Sequence, residues 1–219
     1  MQGLMHGKRG LIMGVANDHS IAWGIARTLA AHGARLSFTY QGDSLGKRVK
    51  PLAASVKADL VLPCDVEDVG SVDKVFAEVG RAWGTLDFLV HAIAFSDKTQ
   101  LTGRYADSTR ENFLRTMLIS CFAFTEAAKR AAALMSNGGA MLTLTYNGGQ
   151  RAMPNYNAME SPRRRWRLRC AISPRIWARR RSGSTPSLPG RSRRWPSPAS
   201  PTAAISSNGT NIILRCGAT

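Results

Sequence analysis

Acidic residues and lysine are absent from the last 59 of the 219 residues, a segment that nevertheless holds 13 arginines. Most of the net charge of +16 therefore belongs to this segment. Arginine, proline and serine make up 30 of its 59 residues. Such a composition buries little apolar surface, so we expect residues 160–219 to be a disordered tail.

Several other features are missing from the sequence as a whole. No apolar run reaches the roughly 18 residues of a membrane span, and the first ten residues are too polar for a signal peptide. The cysteines are too far apart for a disulfide framework or a zinc knuckle, and the histidines lack metal-ligand spacing. These absences predict a cytoplasmic protein without a metal or a membrane contact. The four cysteines are Cys64, Cys121, Cys170 and Cys216.

In residues 1–159, short apolar runs alternate with amphipathic helical patterns. This alternation predicts an α/β fold with a doubly wound parallel sheet, which is Rossmann-like. Ligands of such sheets bind at the carboxyl ends of the strands. The predicted strands are 10–13, 35–40, 59–62, 86–92 and 140–145.

Helical spacing also predicts which faces are buried. Ile21, Ile25 and Leu29 share one face of the first helix. Ser108 and Glu111 have the spacing of a capping box before the fourth helix. The buried face of the third helix is predicted to comprise Val72, Val75, Phe76 and Val79, and that of the fourth region, more loosely, Phe113, Met117, Phe124 and Leu134.

The turn after the first strand has glycines but no G-x-G-x-x-G motif. Gly14 ends the strand and Gly24 lies in the following helix, where glycine lets backbone approach a pyrophosphate. Free amides near Ser20 and Ile21 would attract that group. An ordinary tight turn is the alternative reading.

Two further strand ends carry candidate ligand contacts. Asp65 follows the third strand, where its carboxylate can receive an adenine amino group or cap the next helix. Small residues at 92 and 94 flank Ile93 and leave room for a ribose, or simply pack. The second strand ends in Tyr40 and Gln41 without an acid, so the choice between NAD and NADP stays open on these residues.

Two tyrosines, Tyr146 and Tyr156, flank a glycine-rich turn after the fifth strand. A phenol beside a nicotinamide can donate a hydrogen bond to the oxyanion that develops during hydride transfer. Packing is the more ordinary role of a lone tyrosine.

Four stretches, "GVANDHSIAWGIA", "CDVED", "HAIAFSDK" and "TLTYNGGQRAMPNYNAM", together resemble the bacterial NADH-dependent enoyl-acyl-carrier-protein reductases of the short-chain dehydrogenase superfamily. The resemblance covers residues 1–159. It implies NADH as cofactor, an enoyl thioester on acyl carrier protein as substrate, a role in fatty-acid biosynthesis and a homo-oligomer.

The resemblance also implies a role for each matching position. Tyr156 would hydrogen-bond the thioester oxygen, and Tyr146 would line the substrate pocket. Leu118 stands where the family typically carries an acid. Arg163 stands in the place of the family's lysine, which is not a conservative exchange. The implied cofactor contacts are Gly14, Ala16, Ser20 and Ile21 for the pyrophosphate, Gln41 for the adenosine, Asp65 and Val66 for the adenine, and Ile93 for the nicotinamide ribose.

The resemblance stops where the composition changes, and we hypothesise a shifted reading frame from residue 160 onward. Back-translation of "ESPRRRWRLRCAISPRIW" in the adjacent frame permits "VAKAALEAALRYLAADL", an amphipathic helix that begins with the missing lysine. This hypothesis predicts that the C-terminal part of the α/β fold is incomplete, with an uncovered fifth strand, poor solubility and impaired or absent reductase activity.

Two other functions compete with this interpretation. The basic tail, with Trp166, Trp177 and Trp195, is compatible with non-specific nucleic-acid binding, although no recognition motif is present. Another short-chain carbonyl reductase is the second alternative. Such enzymes have lysine four residues after the tyrosine, where this chain has Glu160.

Overall fold

The computed structural model describes residues 3–145, 156–159 and 211–216, which contain a six-stranded sheet with helices on both faces. Five strands are parallel and follow the order β3-β2-β1-β4-β5, which confirms the doubly wound α/β fold. The strands are β1 (Arg9–Met13), β2 (Arg35–Tyr40), β3 (Leu60–Pro63), β4 (Phe88–His91), β5 (Gly139–Leu144) and β6 (Asn211–Cys216). The helices are α1 (Ile21–Ala31), α2 (Gly42–Ser55), α3 (Val69–Trp83), α4 (Arg110–Met117) and α5 (Ala123–Leu134).

Short helical turns connect some of these elements. Two 3-10 turns, Lys98–Gln100 and Tyr105–Asp107, precede α4, and a π-helical turn, Leu118–Phe122, joins α4 to α5. A third 3-10 turn covers Asn157–Met159. The loop between β4 and α4 is therefore long, and it begins at the carboxyl end of a central strand.

Each face of the sheet has its own apolar core. One core packs α1 and α2 on the sheet, and the other packs α3 and α5. The four predicted residues of α3, from Val72 to Val79, are all buried, as their spacing indicates.

The predicted buried face of α1 is confirmed at Ile25 and Leu29, which are half-buried and pack against the core, and is wrong at Ile21, which is 60% exposed. The most buried residues of the helix are Ala22, Trp23 and Ala26, with the Trp23 ring 6.3 Å from the Phe38 ring between centroids. Small alanines let this helix lie close to the sheet, so the larger isoleucine at its first turn stays outside.

The predicted cap of α4 is also wrong by one residue. Thr109, not Ser108, precedes the helix, and its Oγ1 accepts a hydrogen bond from the Asn112 amide at 3.2 Å. The fully buried residues of α4 are polar, namely Asn112 and Thr116. Of the predicted apolar set, Phe124 is buried, Met117 and Leu134 are half-buried against the core, and Phe113 is half-buried.

The expectation of an uncovered fifth strand is wrong as well. Strand β6 pairs antiparallel with β5, with Leu144 opposite Asn211 and Gly139 opposite Cys216. Residues 211–216 thus belong to the sheet and not to a disordered tail. The rest of residues 160–219 lies outside the described residues, so the expectation of a disordered tail stays a prediction there.

Candidate functional site

The strand order reverses between β1 and β4, and this places a crevice at their carboxyl ends. Met13 and His91, the last residues of the two strands, lie opposite each other. After β1 the chain continues to α1, which packs on one face of the sheet. After β4 it continues through α4 to α5, which packs on the other face. The crevice between the diverging loops is where a doubly wound sheet binds its ligand.

Gly14 forms the floor of this crevice. Its φ of 98° lies in the region that favours glycine, and a β-carbon there would lie 2.3 Å from the Ala92 carbonyl oxygen. The two loops therefore touch through backbone at this point. Gly24, by contrast, lies on the exposed side of α1 with open space around it.

The loop that begins at Gly14 leads to the first turn of α1, which offers backbone donors. The Ser20 side chain does not cap the helix but donates to the Asn17 carbonyl at 2.6 Å. Within the described residues, the amides of Ile21 and Ala22 form no hydrogen bond, because no earlier helical turn supplies a carbonyl. Ala16 is half-buried on the way to this turn. The arrangement suits a diphosphate, which would satisfy the free amides and the positive end of the helix dipole.

Asp65 and Val66 form the adjoining wall after β3. The Oδ1 atom of Asp65 accepts from the Glu67 amide at 2.9 Å, so Oδ2 remains available to an amino group. Asp68, whose Oδ1 accepts from the Gly70 amide, caps α3, which excludes that role for Asp65. The Val66 side chain is buried in the core, so only its backbone can meet a ligand.

Cys64 lies beside this wall but is not reactive. Burial, with a further contribution from the charge of Asp65, raises the pKa of its thiol to about 11. The thiol therefore stays neutral at physiological pH.

Gln41 and Ile93 extend the site in opposite directions. Gln41 follows β2 directly, is exposed, and leaves its side chain free of any capping bond to α2. Ile93 follows β4, is half-buried, and packs against the core under α3 and α5.

The loop after Ile93 is held by a ladder of polar residues on one face of α4 and the following turn. Asn112 Oδ1 accepts from the Asp97 amide at 3.0 Å, and Thr116 Oγ1 donates to Ser96 Oγ at 3.0 Å. Ser120 Oγ both accepts from the amide of the next loop residue, Phe95, and donates to its carbonyl, each at 2.9 Å.

We refer to Asn112, Thr116 and Ser120 as the polar ladder. All three are buried, and they recur every four residues. The sequence reasoning missed them, because it assigned the inner face to apolar residues. The four-residue period of polar side chains was the signal that would have found them.

The segment that carries Tyr156 packs on the same ladder. Met159 is buried, and its sulfur lies 3.7 Å from Ser120 Oγ. Asn157 Nδ2 donates to the carbonyls of Gln100 and Thr102, at 3.1 and 3.3 Å. Tyr156 itself is half-buried beside these anchors. Sequence reasoning did not identify Asn157 or Met159.

The structure thus brings most of the predicted site residues to one edge of the sheet. Gly14, Ala16, Ser20, Ile21, Gln41, Asp65, Val66 and Ile93 all follow the carboxyl ends of strands β1 to β4. Tyr146 and Arg163 lie outside the described residues. Among the described residues, no group of three metal-ligating side chains is present, and no helix is long and apolar enough to cross a membrane.

Comparison with known proteins gives consistent results. A family model described as Enoyl-(Acyl carrier protein) reductase matches residues 14–164. The chain is 72% identical, over 159 residues, to the protein named "Enoyl-[acyl-carrier-protein] reductase [NADH] 2" of Rhizobium meliloti (strain 1021). That alignment covers 73% of this chain and 59% of the relative, so the chain spans less than two thirds of the relative's length.

Two solved structures are also similar. FabI from Candidatus Liberibacter asiaticus has a TM-score of 0.77 and 54% identity, covering 80% of this chain and 69% of that one. The enoyl-(acyl-carrier-protein) reductase from Anaplasma phagocytophilum, in complex with NAD, has a TM-score of 0.72 and 50% identity, covering 75% of this chain and 63% of that one.

Proposed function

The chain belongs to the enoyl-(acyl carrier protein) reductase family, and from this premise we propose that it is built to bind NADH and reduce a trans-2-enoyl thioester carried by acyl carrier protein. The observation that carries the proposal is the contact of Gly14 with Ala92 beside the free amides of α1. A diphosphate is the ligand chemistry that such a backbone cradle favours. The relatives' names and the NAD complex of a similar chain support the same cofactor.

The residues present fit a dinucleotide along the crevice. Gly14 and Ala16 allow close backbone approach, and the amides next to Ser20 and Ile21 would receive the pyrophosphate. Gln41 would contact the adenosine, while Asp65 Oδ2 and the Val66 backbone would meet the adenine. Ile93 would lie against the nicotinamide ribose.

Bound NADH would supply a hydride to the β-carbon of the enoyl thioester. Negative charge then develops on the thioester oxygen, and the Tyr156 phenol would donate a hydrogen bond to that oxygen. A proton added at the α-carbon completes the reduction. The polar ladder and Asn157 keep the Tyr156 segment against the loop that follows Ile93.

Tyr146 would line the pocket, and Arg163 would take the place of the family's lysine. An arginine there keeps the positive charge but presents a planar fork in place of a compact ammonium. Pro162 precedes it and cannot donate a backbone hydrogen bond. We therefore propose that reductase activity is impaired in this chain.

The shifted reading frame explains this impairment most simply. The family model's match ends at residue 164, close to the change in composition, which supports the hypothesis. Residues 1–159 would then be the reductase domain, and 160–219 would be unrelated in sequence to the family, although residues 211–216 pair with the sheet. Cytoplasmic location and homo-oligomeric assembly are part of the same proposal.

Titration of the full chain with NADH, with nucleotide fluorescence as the readout, tests the proposal that the chain binds NADH. Saturable binding is expected, together with NADH oxidation in the presence of a crotonyl thioester far below an ordinary enzymatic rate. Absence of NADH binding would contradict the proposed function. Oxidation at an ordinary rate would contradict the proposed impairment, and sequencing of the gene tests the reading frame.

A further inference from the structure

Arg115 joins two loops that are far apart in the sequence. It lies on α4, and its guanidinium pairs with both carboxylate oxygens of Glu67, through Nε at 2.9 Å and Nη2 at 2.7 Å. The same guanidinium lies over the Phe95 ring, 4.6 Å from its centroid. One side chain therefore contacts the loop after β3 and the loop after β4.

The two contacted residues are closely linked to the proposed adenine and nicotinamide contacts. Glu67 donates its amide to Asp65 Oδ1, and Phe95 is two residues beyond Ile93. The strands that precede these loops are not neighbours, because β2 and β1 lie between β3 and β4. The two strands therefore form no direct hydrogen bonds with each other, and within the sheet they are connected only through β2 and β1.

Both ends of this connection are themselves held. On the β3 side, the Asp65 amide donates to Ser71 Oγ at the start of α3. On the β4 side, Ser120 binds the amide and the carbonyl of Phe95. Because both partners are held in place, a guanidinium that binds both keeps them at a fixed separation. A side chain that contacted two mobile loops would not do so.

Charge and geometry favour a specific contact over a chance surface pair. The two-pronged pairing matches the planar fork of arginine to a carboxylate. The hydrogen bonds that the Arg115 guanidinium donates to Glu67, and secondarily the charge of Glu67, raise the pKa of that guanidinium. Arg115 is half exposed, so the pairing alone has a modest energy, and the stacking on Phe95 adds to it.

We propose that Arg115 is a positioning residue that fixes the separation of the loops after β3 and β4, and thereby the width of the crevice between Asp65 and Ile93. The statement that this crevice holds a dinucleotide rests on the proposed function. The role of Arg115 in joining the loops does not.

The chain offers a matched control in Arg130. This arginine lies on α5, and its Nε donates to Asp73 Oδ1 of α3 at 2.6 Å. It therefore joins two helices and has no recorded contact with either loop among the described residues. Replacing Arg130 removes an interhelical arginine pair of similar kind but leaves the crevice loops alone.

Hydrogen exchange of the full chain without ligand tests the connection itself. In Arg115→Ala, peptides that cover residues 64–67 and 94–97 should exchange faster, and in Arg130→Ala they should exchange as in the unaltered chain. Unchanged exchange of both loops in Arg115→Ala would overturn the proposal, as would equal loosening in Arg130→Ala.

NADH titration tests the consequence for the crevice. Arg115→Ala should weaken NADH binding about three- to tenfold, from the loss of one exposed pair and one stacking contact. Glu67→Gln should weaken it as well, and the double variant should be no weaker than Arg115→Ala, since both changes break the same connection. Arg115→Lys should not restore NADH binding, because an ammonium cannot form the two-pronged pair with Glu67 and lie flat on the Phe95 ring at the same time.

The outcomes separate the two proposals. If the unaltered chain binds NADH and Arg115→Ala binds it equally well, the positioning role is wrong. If exchange shows the loosening but the unaltered chain fails to bind NADH, the proposed function is wrong and the connection between the loops stands.

Discussion

Gly14 is a residue of the crevice at which a single added carbon should matter. A side chain there combines an unfavourable φ of 98° with a β-carbon 2.3 Å from the Ala92 carbonyl oxygen. We expect Gly14→Ala to destabilise the fold by about 2 kcal/mol or more and to abolish detectable NADH binding. Urea unfolding and fluorescence titration measure the two effects.

Gly24→Ala serves as the comparison for stability. Open space surrounds that position in α1, so alanine should raise stability by up to about 1 kcal/mol through its better helix propensity. Equal unfolding midpoints for both variants would contradict the assignment of Gly14 to the contact between the loops.

The thiol of Cys64 makes stability depend on pH in the alkaline range. Its pKa is raised by burial from 9.0 in an ordinary environment to about 11 in the fold. Between these values the unfolded chain loses the thiol proton and the folded chain keeps it, so rising pH favours unfolding. Between pH 8 and pH 10, the free energy of unfolding measured with urea should fall more in the unaltered chain than in Cys64→Ala. Equal decreases would show that the Cys64 thiol does not contribute to this pH dependence.

At this scale the sequence located the strand-end residues but not their roles. Asp65 and Asp68 both follow β3, and only the observed backbone shows that Asp68 caps α3. Arg115 was not recognisable as a site neighbour, because its partners Glu67 and Phe95 come from loops that only the folded chain brings together.

Among the helices, α4 depends on a cap that can be tested with an adjacent control. Thr109→Ala removes the acceptor of the Asn112 amide and should cost about 1 kcal/mol of stability. Ser108 Oγ is buried without a partner in the described part of the chain, so Ser108→Ala should be neutral or slightly stabilising. Thermal unfolding should give a lower midpoint for Thr109→Ala than for Ser108→Ala. The opposite order of midpoints would indicate that Ser108 is the cap.

Strands and apolar helix faces were predictable to different degrees. Residues 35–40 match β2 because the strand is buried and bounded by a clear turn, and the valines of α3 follow a simple helical period. The faces of α1 and α4 were only partly predictable from apolar spacing, because Ile25, Leu29 and Met117 pack against the cores as predicted but the most buried residues are others. In α1 alanines set the distance to the sheet, and in α4 the inner face binds loop backbone through polar groups.

At the scale of the molecule, β6 decides whether the sheet ends in an open edge. It pairs with β5 over Gly139–Leu144, and its loss would leave the backbone groups of β5 that face away from β4 unpaired. We expect deletion of residues 211–219 to increase concentration-dependent aggregation, measured by light scattering. Deletion of residues 217–219 alone should have no effect, and equal behaviour of the two deletions would show that β6 does not protect the edge.

The direction of β6 has a kinetic consequence. Asn211 enters the sheet opposite Leu144, at the carboxyl edge, and Met159 lies against Ser120 near the same edge. Between these two residues the sequence has 12 arginines and one acid, Glu160. Because this positively charged segment is attached at both ends to the edge of the sheet that carries the crevice, we expect it to steer an anionic nucleotide towards the site, an effect that added salt screens. In stopped-flow measurements, the association rate of NADH should therefore fall as ionic strength rises, while its dissociation rate changes little.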